Sequence, residues 1–313
     1  MTDAISENQI SRKFIFGLIT FLLLMMFNGC AVRQYAINRV GDAVAGGGDA
    51  FASDNDPDLI RDASPFSLKM MESLLAENPR HRGLLLAAAK GFTQYTYAYV
   101  QQNADEVETT NITMAYAERD RAKRLYLRAR DYGLRGLSLQ QPEFFVRLRA
   151  DPQATVKRVK PEDVALLYWT GAAWAAAIAA GKDDPFLVAD LPAVEALIKR
   201  AYEIDDTFDN GALHVFLISF EMSRSAVSKD AAQKAHEHFN RAVELSNGLQ
   251  AAPYVALAES VTVQEQRRDE FTQLLNQALA VDIDKRPDWR LANLIMQRRA
   301  RWLLAHTDEY FIE

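Results

Sequence analysis

The sequence predicts an all-α fold, an array of stacked helical hairpins with no sheet. Three observations lead there. The stretches ALIKRAYEIDDTFDNGALHVFLI, HEHFNRAVELSNGLQAAPYVALAES and LLNQALAVDIDKRPDWRLANLIM repeat one design: the end of an amphipathic helix, a short polar turn, then a second apolar-striped helix. Aligning Ala201, Ala242 and Ala278 gives spacings of 41 and 36 residues, and periods of roughly 34–40 residues with this pattern mark tetratricopeptide-like hairpins. In the rest of the chain apolar residues recur every three to four positions, which leaves no room for strands. Each small Ala lets two helices approach closely, and the Asp, Asn and Gly of the turns suit caps and tight connections. Stacked hairpins curl around a concave face, so the pattern predicts binding rather than chemistry.

At 313 residues the chain accommodates one large helical array or two smaller domains. A net charge of -6 argues against a nucleic-acid partner, whose phosphates require a basic surface.

The N-terminus carries an address rather than a fold. Arg12 and Lys13 precede an apolar run from Phe14 to Phe27 that ends Asn28-Gly29-Cys30, the order of features in a secretory signal. Gly29-Cys30 resembles a bacterial lipobox, with residues 1–29 removed as a signal peptide and lipid carried on Cys30. Cys30 is the chain's one cysteine, so no internal disulfide forms. Val32, where Asp would signal inner-membrane retention, directs the expectation to the periplasmic face of the outer membrane. Phe27 stands where Leu is usual, and the alternative is an uncleaved anchor, although the run is short for a span of roughly 20 residues.

From there the elements come in order. Residues 30–56 form a lipidated segment, with a short helix through Val32, Tyr35, Ala36, Val40 and Val44 and a flexible turn at Gly46-Gly47-Gly48. No strand precedes that Gly run and no Lys-Ser/Thr comes after it, so it is no phosphate loop. The helical-repeat domain spans 57–313. Leu59, Ala63, Phe66, Met70 and Leu74 predict a helix over 57–77, and a second helix runs from Leu84 to Val107. On the second, Phe92, Tyr95 and Tyr99 share a face, either a core stripe or a ligand-lining wall. A third helix, Ala115 to Leu137, carries Arg121, Arg124, Arg128 and Arg135 on a solvated face. Residues 140–160, with Pro142 and Pro152, form a longer connection with one short helix and are the candidate internal boundary. Residues 164–181 are apolar all round, which predicts a central buried helix. Gly171, Ala172 and Ala175 allow close packing there, while Trp169 and Trp174, about 140° apart, serve different faces. The three hairpins come next, and the polar-backed helix Leu291 to Leu304 caps the array.

A search for catalytic groups finds little. No nucleophile elbow, metal motif or cofactor motif is present. His236 and His238 lie about 200° apart around a helix and cannot share an ion, so they read as a solvated pair. Glu221 and Glu259 sit in apolar helices and call for Arg or turn N–H partners, for which Arg267 and Arg268 are at hand.

The ordered set GLLLAAAKGFTQYTYAYVQQNADEVE, RAKRLYLRARDYGLRGL, LYWTGAAWAAAI, FDNGALHVFLISFE, HFNRAVELSNGLQAAPYVALAES and RLANLIMQRRARWLL, from Cys30 to about Leu304, resembles the T-component family of tripartite ATP-independent periplasmic (TRAP) transporters. The resemblance implies a lipid-anchored, all-helical periplasmic protein that pairs with the transporter's soluble substrate-binding subunit. It further implies a homotrimer whose protomers are each threaded by an apolar channel, a hydrophobic or organic-acid ligand, and no enzymatic activity. Tyr95, Tyr99, Trp169, Trp174 and His214, which join apolar helices to polar tips, are the candidate channel wall. Two other readings are a general envelope scaffold lipoprotein acting in protein–protein assembly and an enzyme, for which the spacing supplies no clustered carboxylates or His.

Overall fold

The computed structural model describes residues 37–223 and 230–312, and every regular element among them is helical. Cys30, the expected signal segment and the expected helix positions Val32, Tyr35 and Ala36 lie outside the described residues. Helix α1 covers 37–46 and α2 covers Gly48–Ala52, so the expected Gly turn shrinks to Gly47, and Gly48 already begins a helix. In α3 (Pro57–Glu77) the Asp56 side chain caps the N–H groups of Asp58 and Leu59, with Pro57 at the first position, where its missing N–H costs nothing. Helix α4 (Arg82–Tyr95) runs through a π-turn at Thr96–Gln101 into α5 (Gln102–Val107). The periodicity predicts one unbroken helix there, and the wide turn is the departure from it.

Asn111 caps α6 (Ile112–Ser138). Two short helices, α7 (Phe144–Ala150) and α8 (Pro152–Val156), replace the single one expected in the long connection, because the Asp151 side chain caps a fresh start at Pro152. Helix α9 (Val164–Ala180) precedes α10 (Pro185–Val188) and α11 (Leu191–Ile204). The three predicted repeat segments are occupied by α11 and α12 (Phe208–Ser223), α13 (Ala231–Leu245) and α14 (Ala252–Leu257, extended by a π-turn at Ala258–Thr262), and α15 (Arg268–Ala280) and α16 (Arg290–Ala305), with α11 packed chiefly on α9 and α12 chiefly on α13.

Helix α9 is the centre. Although Pro161–Ala180 is long and apolar enough to cross a membrane, over half of it is buried inside the fold, against α4, α6 and α11. The approach depends on missing side chains: a Cβ on Gly171 would meet Ile198 Cδ1 at 2.7 Å. Around α9 the largest core gathers Tyr126, Leu166, Leu167, Trp174, Leu197, Ile198 and Leu213. A second core holds the last hairpins through Val255, Phe271, Leu275 and Ala300, and a third holds the first through Leu68, Leu75, Leu84 and Phe92. Ala201, Ala242 and Ala278 are all completely buried.

Two local features set how the helices of the array meet. The start of α12 is a left-handed turn at Asp209, Asn210 and Gly211, with Gly211 at φ 102°; that turn sets α12 against Ala242 of α13. At the other end α16 returns to the beginning of the array. Arg290 Nη1 donates to the Ser53 carbonyl at 2.9 Å, Arg298 Nη2 pairs with Glu106 at 2.9 Å, and the Tyr97 hydroxyl donates to Met296 Sδ at 3.8 Å.

Candidate functional site

Helices α8, α11, α12 and α13 frame a groove of about 460 Å³. Glu195, Ile198, Lys199 and Tyr202 fall three to four residues apart on α11 and share one face. Leu217, Phe220 and Glu221 do the same on α12, Gln153 enters from α8 and His238 from α13. Ile198, Leu217 and Phe220 are buried and form an apolar floor, and Tyr202 stands partly exposed beside it. An apolar concavity of this size with a few polar groups at its rim has the form of a small-molecule site.

A histidine pair closes one end. His214 Nδ1 and His238 Nδ1 lie 2.9 Å apart, and the Tyr202 ring meets both imidazoles edge-on. One nitrogen must donate and the other accept, so a single proton occupies the contact. Burial and the neighbouring His238 push the His214 pKa down to about 4; burial also lowers that of His238, against the pull of Glu221 and Glu237. The pair is therefore neutral at neutral pH. This corrects the expectation of a solvated His236–His238 pair: the α12–α13 contact draws His238 inward, while His236 faces Arg267 at 3.5 Å.

The remaining candidate residues occupy other places. Tyr95 and Tyr99 come together, ring centroids 5.7 Å apart; Arg121 Nη2 reaches the Tyr95 hydroxyl at 3.5 Å, and burial pushes the Tyr99 hydroxyl up to about 12. Trp169 packs edge-on against Tyr168 at 4.9 Å, with Lys90 above its ring. Trp174 is fully enclosed, with Phe145 at 5.8 Å and the Arg130 guanidinium 5.0 Å from its ring. Among the described residues no ring contact joins Trp169, Trp174 and His214 to one another. Sequence reasoning missed Tyr202, Lys199 and Phe220. The i, i+3, i+4, i+7 spacing of 195, 198, 199 and 202 was the available signal, but the facing residues of α12 and α13 come from tertiary packing.

A second polar centre lies where α16 meets α5. Arg299, 8% exposed, donates to Glu259 through Nε at 2.8 Å and pairs through Nη2 with Asp105 at 3.1 Å. Glu259 therefore pairs with Arg299 and not with the expected Arg267 or Arg268, which pair with Glu270 and Asp308. Both π-turns serve this centre: one carries Tyr97 and leads into Asp105, the other carries Glu259. Each widened turn re-aims its side chain toward the guanidinium. Burial raises the pKa of Glu259 and Asp105, and Arg299 opposes that rise. Two carboxylates close on the Nε and Nη2 side of the guanidinium while Nη1 is buried without a hydrogen-bond partner among the described residues, and the ion pairs tie α16 to α5 as an internal pin.

The pattern that defines the TRAP transporter T-component family matches residues 53–311, from just before α3 to beyond α16. This chain belongs to that family. A protein of Treponema pallidum (strain Nichols), described as uncharacterized, is 28% identical to it over 94% of this chain and 96% of its own length. The T-component family is a transporter accessory family on the periplasmic side and not an enzyme family. Among the described residues of this T-component, no cluster of three or more His, Cys, Asp or Glu is placed to hold a metal.

Proposed function

We propose that this T-component is a periplasmic lipoprotein, cleaved after residue 29 and anchored through Cys30, that docks on the substrate-binding subunit of its TRAP transporter. As a homotrimer on the outer membrane it holds or passes a hydrophobic or organic-acid ligand through an apolar channel, with Tyr95, Tyr99, Trp169, Trp174 and His214 as wall candidates. The family match along the whole helical array carries this reading. The Arg-Lys start, the apolar run and Gly29-Cys30 support the anchor.

The test is a pull-down of the mature domain from periplasmic extract, with mass spectrometry of co-purified proteins and of extracted small molecules. Recovery of a substrate-binding subunit together with an apolar or acidic small molecule supports the reading. Envelope assembly factors without a small molecule would replace it with a scaffold role.

A further inference from the structure

The described residues begin at Ile37, and the contacts around that point fix where an N-terminal anchor leaves the fold. Asn78 Nδ2 donates to Asn38 Oδ1 at 2.6 Å, and His81 Nε2 lies 3.3 Å from Asp42, so α1 is fastened to the turn between α3 and α4. Two further segments meet the same turn. Arg135, near the end of α6, donates to the Pro79 carbonyl at 3.3 Å, while Arg82 donates to Asp163 and to the Glu162 carbonyl ahead of α9. One end of the array therefore gathers residues 37–42, 77–82, 135–143 and 157–163 around the exit.

The charge of that end differs from that of the chain as a whole, which is -6. Its pairing decides the matter. Arg82 is matched by Asp163 and Lys160 by Glu162; Arg39 and Glu77 have partners of their own, and Asp42 faces His81. Arg80, Arg135, Lys157 and Arg158 are exposed, and among the described residues no carboxylate pairs with any of them. Against these four stands Glu143. The far end of α3, about 30 Å away at 1.5 Å per residue, is acidic: Asp58 and Asp62 share Arg61, and Asp54 and Asp56 accept backbone N–H groups. Further along the array the anchor-side end turns acidic too, with Glu203, Asp205 and Asp206 against Arg200 and Arg241. The basic patch is thus confined to the segments nearest the exit.

We propose that this end of the array rests on the membrane, with Arg80, Arg135, Lys157 and Arg158 against the phosphate groups of anionic phospholipid. The proposal rests on the N-terminal anchoring of the proposed function. Residues 30–36 lie between Cys30 and α1, and a stretch of that length reaches at most about 25 Å even when fully extended. The exit end therefore stays at the lipid surface, while the acidic end of α3 is free to stand away from it. Exposed cations without ion pairs have none to break on meeting an anionic surface, and each adds attraction within a Debye length of it. An uncleaved anchor would leave the fold by the same path and give the same orientation.

The experiment attaches a fluorescent label at Gln140→Cys, on the anchor-side end, or at Asn55→Cys, on the far end, both exposed positions. The full chain is reconstituted into liposomes that carry a nitroxide on the lipid headgroup, and each signal is taken relative to the parent chain, whose one thiol is Cys30. Quenching is expected at Gln140→Cys and not at Asn55→Cys, and it should increase when phosphatidylglycerol replaces part of the phosphatidylcholine. Adding Arg80→Gln with Lys157→Gln removes two of the four unpaired cations and should cut that increase by about half. Arg80→Lys with Lys157→Arg, which keeps the charge, should leave it intact. Equal quenching at the two labels, stronger quenching at Asn55→Cys, or indifference to phosphatidylglycerol overturns the proposal. The intact mass of the same preparation reports separately on lipid at Cys30, so failure of the lipoprotein reading is distinguishable from failure of this one.

Discussion

His214 and His238, 24 residues apart in sequence and carried by neighbouring helices, face each other Nδ1 to Nδ1 at 2.9 Å. Both pKa values lie below the ordinary histidine value, so the folded state binds fewer protons at these rings than the unfolded chain does. Stability from the pair is complete above about pH 6.5 and is lost as pH falls toward the folded value near 4. Thermal melts of the wild type and a His214→Leu variant, compared between pH 7.5 and 4.5, should show the wild type losing on the order of 2 kcal/mol more than the variant. Parallel profiles would show that the pair does not titrate with folding.

Arg299 neutralises two buried carboxylates, and its removal should cost more than its contacts alone. Arg299→Met is expected to lose about 3–5 kcal/mol in denaturant unfolding, because Glu259 is left charged in an apolar surround. The double variant with Glu259→Gln should recover a substantial part. The raised pKa of Glu259 would rise further in the single variant. Stability from a raised carboxyl is present below its unfolded value, about 4.3, and fades as pH rises through the folded one. The single variant should therefore regain stability on acidification relative to wild type; an identical pH slope in both proteins would refute the account.

Gly211 combines a φ of 102° with a position where a Cβ would stand 3.2 Å from Ala242 Cα. Gly211→Ala is expected to destabilise by about 1–3 kcal/mol, from backbone strain and from pushing α12 off α13. Because His214 lies one turn further along α12, the same variant should weaken the histidine contact. The check is the His238 ring proton shift in NMR, which should move in Gly211→Ala and stay fixed in Gly47→Ala.

Cys30→Ser removes the proposed lipid attachment. The expected outcome is a shift of the protein from the membrane to the soluble periplasmic fraction, with an unchanged thermal midpoint. Retention in the membrane fraction would favour an uncleaved anchor.

Much of the fold was legible because helical burial leaves a period. Leu59 through Leu74 and the alanines at 201, 242 and 278 reveal their helices without reference to anything distant, and the all-round apolar surface of 164–181 announces its central place. The π-turns were not legible, since one extra residue in a turn leaves the pattern on either side intact. Nor were the partners of buried polar groups. Glu259 is eight and nine residues from Arg267 and Arg268 in sequence but finds Arg299, 40 residues away. The five wall candidates were chosen by residue type on apolar helices, a criterion that says nothing about which helices converge, and the structure sends Trp174 into closed core and His214 to the end of a groove.

The return of α16 to α2 and α5 makes the two ends of the array each other's neighbours. An open solenoid can gain or lose a unit by duplication or deletion, because its last unit needs only the one before it. Here the loss of one hairpin would pull Arg290 from Ser53 and Arg299 from Asp105, and an added hairpin would force the same seam apart. Geometry of this kind ties the number of hairpins to the seam. The Treponema relative aligns over nearly all of both chains at 28% identity, a match in length that accords with such a seam.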